Sequence, residues 1–120
     1  MSGERGSASV VAVALISVIV ALTVGAAECG AAVIARHRAQ TAADLAALAA
    51  AGALADGREM ACGRASEITA AMRAELADCR VEGLDIVVTV DVRVALRVPG
   101  LAVAGPARST ARAGPASEAR

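Results

Sequence analysis

The pattern of hydrophobic and polar positions divides the chain into three stretches of different period. Residues 7–27, SASVVAVALISVIVALTVGAA, run for 21 positions without a charge. At ~1.5 Å rise per residue a helix of this length covers ~31 Å, the thickness of a bilayer's hydrocarbon. A helix on the surface of a soluble domain shows a polar face, and this stretch has none. Its Ser, Thr and Gly residues are small enough to hide their polarity within a helix. A fully buried core helix would need more protein around it than 120 residues supply. These residues predict a membrane-spanning helix.

Helical character continues from Cys29 to Ala55, a stretch dense in Ala and free of Pro. Leu45, Leu48 and Leu54 recur at helical spacing, while Arg36, Gln40 and Asp44 occupy another face. Span and extension together read as one helix of about 48 residues, roughly 70 Å long. Its Ala-rich stripe lets another helix approach closely. That helix could belong to a partner, or the stripe could fold back on the chain's own domain; the residues leave both open. Asp56-Gly57 ends the element, with Gly57 suited to the position past the last turn. A second helix is predicted over residues 58–76, with Met60, Ala61, Ile68, Met72 and Leu76 apolar and the Met residues acting as core fillers.

From Arg80 the period becomes two. Ile86, Val88, Val90, Val92, Val94, Leu96 and Val98 point one way, and Asp85, Val87, Thr89, Asp91, Arg93, Ala95 and Arg97 the other. The aliphatic face needs a cover, which the amphipathic helices can supply. Val81-Glu82, ahead of Gly83, reads as a short preceding strand. Pro99-Gly100 and Gly105-Pro106 punctuate, residues 101–103 and 108–112 read as short return strands, and residues 114–120 as a disordered tail. The predicted class is α+β: a long N-terminal transmembrane helix, a second shorter helix and a small antiparallel β-sheet. Residues 1–6 form a leader, 7–27 the span, 28–56 its helical extension, and 57–113 a small domain.

Composition narrows the functions available. Twelve Arg, with no Lys, balance twelve acidic residues, which argues against a nucleic-acid partner. Phe, Tyr and Trp are absent, so the soluble part must build its core from Val, Leu, Ile and Ala. A domain this small is marginal without the largest hydrophobic side chains, and is expected to lean on the membrane helix, a disulfide or partner subunits. The leader MSGERG carries almost no net positive charge, and the uncharged stretch is longer than a usual signal core. An anchor is therefore favoured over a cleaved signal peptide, although Gly25-Ala26-Ala27 offers small residues for a cut. Glu28, directly before Cys29, argues against a lipoprotein site. Arg36, His37 and Arg38 follow the span and only Arg5 precedes it; by charge counting alone the C-terminus would be cytoplasmic.

Candidate chemistry is sparse. His37 lies between two arginines and reads as a solvated interfacial residue. No Ser/His/Asp order, glycine-rich phosphate loop, paired carboxylates or metal-ligand spacing stands out. The expectation is a protein without enzyme activity, cofactor, metal or small-molecule substrate. Cys62 and Cys79 are the exception, since two cysteines outside a reducing compartment tend to be bridged. Seventeen residues of straight helix would hold their Cα atoms ~25 Å apart, against the ~7 Å a bridge allows. A bridge thus requires the second helix to stop near residues 72–75, with residues 76–80 running back along it. Two independent thiols are the alternative. Cys29 reads as a small apolar residue at the membrane boundary.

Five motifs then align in order: GERGSASVVAVAL entering the span, ARHRAQTAADLAALAAA after it, the Cys62/Cys79 pair, CRVEGLDIVVTVDV, and the ending ARAGPA. On these the chain resembles the TadE/TadG-like proteins of tight-adherence (Flp) pilus and secretion systems. It is most similar to the short actinobacterial TadE-like proteins found beside secretion ATPase genes. The resemblance implies a pilin-like fold and a non-enzymatic minor-pilin (pseudopilin) or assembly component. It would be single-pass in the cell membrane, with its N-terminus cytoplasmic and its C-terminal domain extracytoplasmic, and would meet other pilin-like or Tad membrane components through the Ala-rich helix. The alternative is a single-pass membrane-anchored interaction or regulatory module that joins no filament. Pilin-type leaders are cut after a Gly, and a Glu at the fifth mature position answers the neighbouring subunit's new amino terminus inside the membrane. Gly6 is the candidate cut site, yet the fifth residue after it is Val11, and counting from Gly3 gives Ala8. The resemblance therefore implies a poor substrate for prepilin peptidase, and an uncut anchor or sparse minor subunit.

Overall fold

The computed structural model describes residues 2–94 and 105–115. Its long axis is set by helix α1, Ser2–Ala53, which runs unbroken for 52 residues. That is ~78 Å at the usual rise, most of the molecule's 84 Å length. A single 3₁₀ turn, Leu54–Asp56, follows, and then Gly57 at φ +111°. Only glycine takes that conformation without strain, and it lets helix α2, Arg58–Ala71, turn back onto α1. Strands β1 (Glu75–Glu82), β2 (Asp85–Val92) and β3 (Ala107–Ala113) form one antiparallel sheet in that spatial order. The chain is α+β, with the long apolar helix, the second helix and the small antiparallel sheet all present.

The core is built from small residues on the helices and branched ones on the sheet. Ala42, Ala43, Ala46, Ala47 and Ala50 of α1 meet Ala61 and Ala65 of α2 and Ile86, Val88 and Val90 of β2. Alanine on both helices allows close backbone approach, and the aliphatic row of β2 fills the layer above. Of the three leucines expected to mark the apolar face, Leu54 packs against the core, whereas Leu45 and Leu48 point outward, 46% and 65% exposed. Between Ala35 and Ala50 the stripe is covered by the chain's own sheet and second helix. Over this length, then, it is not open to a partner. Residues 35–50 are built into the same core as the sheet.

Helix α2 is shorter than its sequence pattern suggests, and β1 correspondingly longer. Arg73 adopts φ +55°, its N–H donates to the Ala70 carbonyl, and the Ala74 N–H donates to the Thr69 carbonyl at 2.9 Å. This is a Schellman closure with arginine at the left-handed position where glycine is usual. The chain then runs straight into β1. A bulge between Leu76 and Asp78 shifts the alternation by one residue. Leu76, Cys79 and Val81, the half-buried residues of β1 packed on the core, are therefore spaced three and then two apart. In sequence that spacing imitates a helix, which hid the strand.

Strand β2 ends at Val92, short of the Val98 its alternation suggested; Arg93 and Val94 lie beyond it, while residues 95–104, including the return strand expected at 101–103, fall outside the described residues. Strand β3 contains the stretch expected at 108–112 and turns Ala111 inward. Residues 116–120 of the tail likewise fall outside the described residues. β1 and β2 join through Gly83-Leu84, where only Gly83 has positive φ (+65°), the pattern of a type II′ hairpin turn. On the sheet's outer face Val87 is buried although it points away from the helices. Its register partners are Arg80 and Arg112, whose aliphatic stems supply its cover. Their heads pair with Asp78, Glu82 and Asp85.

Candidate membrane anchor and juxtamembrane groove

In the first half of α1 every large apolar residue faces outward. Val10 is 69%, Ile16 61% and Leu22 69% exposed. Three hydroxyls in this stretch are turned back onto the helix. Ser9 donates to the Arg5 carbonyl at 3.1 Å, Ser17 to Val13 at 2.8 Å and Thr23 to Ile19 at 2.8 Å. Such back-bonding satisfies these donors without water. The helix is long and apolar enough to cross a membrane.

Where the apolar stretch ends, the sheet reaches the helix. Ala35 and Ala39 pack on Val92, and alongside them lies an open groove of about 560 Å³ between α1 and β3, lined by Val33, Arg36, His37, Gln40, Arg108 and Ser109. It continues over Ala32, Val94, Pro106 and Ala107. The Ser109 hydroxyl donates to Gln40 Oε1 at 2.7 Å, and Gln40 Nε2 donates to Asp44 Oδ1 at 3.2 Å. This chain of bonds ties the sheet edge to the helix. Arg108 donates from Nε and Nη2 to the two carboxylate oxygens of Asp91, at 2.7 and 2.8 Å. Those hydrogen bonds outweigh the cost of partial burial and hold the Asp91 carboxyl below its ordinary range; the same pairing raises Arg108.

The residues singled out in the sequence are scattered through this frame. Cys62 of α2 and Cys79 of β1 are joined in a disulfide with Cα atoms 5.9 Å apart, because α2 stops and β1 runs back beside it. Cys29 is exposed and free. His37 is exposed on the groove wall, its carbonyl accepting from Thr41 at 3.0 Å. Gly6 lies inside α1, which passes through it without a break, and nothing crowds it. Among the described residues no three His, Cys, Asp or Glu side chains converge as a metal set. The groove itself was not legible in the sequence: its walls are 69 residues apart at Gln40 and Ser109, and only the register of β3 brings them together.

Comparison with known proteins adds the family of the helix. Residues 6–53 match the Tad family model, described as "Putative Flp pilus-assembly TadE/G-like". Helix α1 is a TadE/G-like segment. The match ends at Ala53, where α1 itself ends, so the TadE/G-like pattern takes in both the exposed apolar half and the Ala stripe. Over 54 residues the chain is 59% identical to a Mycobacterium tuberculosis protein named apoptosis inhibitor Rv3654c. That stretch is 45% of this chain and 64% of the relative, so the chain covers less than two thirds of the relative's length. No solved structure matches the chain. The matched stretch is less than half of the chain, and among the described residues one helix is long and apolar enough to cross a membrane.

Proposed function

We propose that this TadE/G-like chain is a non-enzymatic, single-pass component of a Tad-type pilus or secretion apparatus, a minor-pilin-like or assembly subunit. Its N-terminus lies in the cytoplasm and its domain outside. One observation carries the reading: a single unbroken helix is exposed and uncharged over residues 7–27 and built into a folded domain over residues 35–50. A subunit of this kind couples what its membrane half packs against to the position of its outer domain. The side chains left for neighbouring pilin-like helices are those of the span, since the Ala stripe at 35–50 is already occupied. Fractionation tests the assignment: the protein should copurify with surface appendages or with the other Tad components in native membranes. Protection of a C-terminal tag from protease in intact spheroplasts would contradict the orientation.

A second reading is a membrane-anchored interaction or regulatory module that enters no filament. Val11 favours it, standing where the pilin pattern calls for a carboxylate after a cut at Gly6. Appendages free of the protein, with all of it retained in the membrane fraction, would favour this reading. Intact-mass measurement of the native chain separates the two further, since chains beginning at Ser7 would show that the leader is processed.

A further inference from the structure

The groove between α1 and β3 changes character along its length in the direction of the membrane. Its membrane-proximal part adds Ala32, Val94, Pro106 and Ala107, and its far part adds His37, Gln40 and Ser109; Val33, Arg36 and Arg108 lie between and line both. Val33 and Ile34 remain 55% and 62% exposed just above Arg36. With the span at residues 7–27, hydrocarbon ends near Ala27, placing Arg36 about 13 Å further along the axis, at the depth of the headgroups once its side chain reaches back. Helical side chains lean toward the N-terminus, so Arg36 and Arg38 reach back toward the bilayer. Among the described residues neither has an ion-pair partner. The neighbouring cations at this end are matched, Arg108 by Asp91 and Arg93 by Glu75. Two acidic residues of α1 flank the groove, Asp44 bonded to Gln40 at its far end and the half-buried Glu28 on the membrane side.

We propose that this groove holds one anionic phospholipid of the adjacent leaflet, its phosphate against Arg36 and its acyl chain along Val33 and the apolar entrance. Arg108 adds Nη1, the nitrogen that its bonds to Asp91 leave uncommitted. The order of the lining, apolar toward the bilayer with the two arginines behind it, is the order of the parts of a phospholipid. Arginine suits phosphate because its planar fork offers parallel donors. A zwitterionic lipid brings no net charge to Arg36, which has no ion-pair partner among the described residues, so the site should discriminate by charge. The inference rests on the membrane span and on no role in a filament, and it applies whichever leaflet the domain faces.

The test uses the full chain in nanodiscs of equal phosphatidylglycerol and phosphatidylcholine, with retained lipid counted by native mass spectrometry. Insertion is checked separately by resistance to carbonate extraction. The wild type should retain phosphatidylglycerol over phosphatidylcholine. Arg36→Gln should lower that preference by about fivefold, the worth of one basic residue near an anionic surface. Arg36→Lys, which keeps the charge and loses the fork, should keep part of it, and Arg58→Gln, at the far end of the domain, should keep all of it. Equal retention of the two lipids by the wild type, an unchanged preference in Arg36→Gln, or an equal loss in Arg58→Gln would each overturn the proposal.

Discussion

The two halves of α1 use the same few residue types to opposite ends. Over residues 10–24 Val, Ile and Leu all face outward and no described residue covers them. Over residues 35–50 the outward positions include Leu45 and Leu48, and the covered ones are alanines at 6% exposure or less. Hydrophobicity alone therefore does not say which side of a helix is buried. In the first half the exposed side chains belong to a helix long and apolar enough to cross a membrane, a setting in which bulk is welcome. In the second, burial comes from α2 and the sheet, where close approach matters more than side-chain area. A core of alanines releases little apolar surface per residue on folding, so the domain half depends on what else holds it, and the span half does not.

That dependence makes the disulfide the largest lever. Cys62 and Cys79 close a loop of 17 residues, and constraining such a loop in the unfolded chain contributes ~3 kcal/mol. Cys62→Ser/Cys79→Ser should lower the melting temperature of the sheet by ten degrees or more. The helicity of the span should barely change. Thermal scans by circular dichroism in detergent, at wavelengths reporting sheet and helix, separate the two responses. A loss of helix and sheet together would show that the two halves are one cooperative unit, and the contrast drawn above would fail.

Packing gives the next effect. Ala46 is fully buried between the helices and the sheet, so Ala46→Leu forces extra methylenes into a closed layer at a cost of about 1–3 kcal/mol. Ala14→Leu adds the same atoms to the exposed half, where no other part of the chain stands in the way. The first should depress the domain's melting temperature and the second leave it unchanged. Equal shifts from the two variants would mean that the Ala stripe is not close-packed.

How much of this was readable from sequence follows from the same distinction. The span was legible because 21 residues without charge meet a length set by the bilayer. β2 was legible because its inward row of Ile86, Val88, Val90 and Val92 alternates without interruption. The covered face of the second half was only half legible. An Ala stripe announces close approach, but neither the partner nor the side is written in residue size, and Leu at helical spacing points the wrong way. β1 was hidden by its bulge at Ala77 and by a helix stop at Arg73 that carries no glycine. Residues 73–76 thus read as the last turn of a helix when they are a left-handed closure and the start of a strand.

Arg73 gives a smaller effect of opposite sign. Left-handed backbone costs a non-glycine residue ~1 kcal/mol or somewhat more, and Arg73 sits there at φ +55°. Arg73→Gly removes that strain but enlarges the freedom of the unfolded chain, so the net gain should be below ~1 kcal/mol. A rise of a few degrees in the domain's melting temperature is expected, with the span unaffected. A fall would show that the Arg73 side chain contributes more than its backbone conformation costs.

The smallest effect concerns charge at the border between the halves. Arg108 holds the Asp91 carboxyl below its ordinary value, chiefly through its hydrogen bonds. A group whose pKa is depressed by folding contributes stability above its unfolded value, near 4, and loses it as pH falls through the folded value. Arg108 is raised from an already high value, so its part is present at every pH below the alkaline extreme and adds no slope near neutrality. Asp91→Asn should therefore melt slightly below the wild type at pH 7, and the gap should close as pH drops below 4, where the wild-type carboxyl protonates as well. Other carboxylates titrate in the same range, but they do so in both proteins and cancel in the difference. The span, which carries no titrating side chain between residues 7 and 27, should show constant helicity over the whole range. A gap of the same size at pH 3 and pH 7 would mean that the pair acts through packing and not through charge.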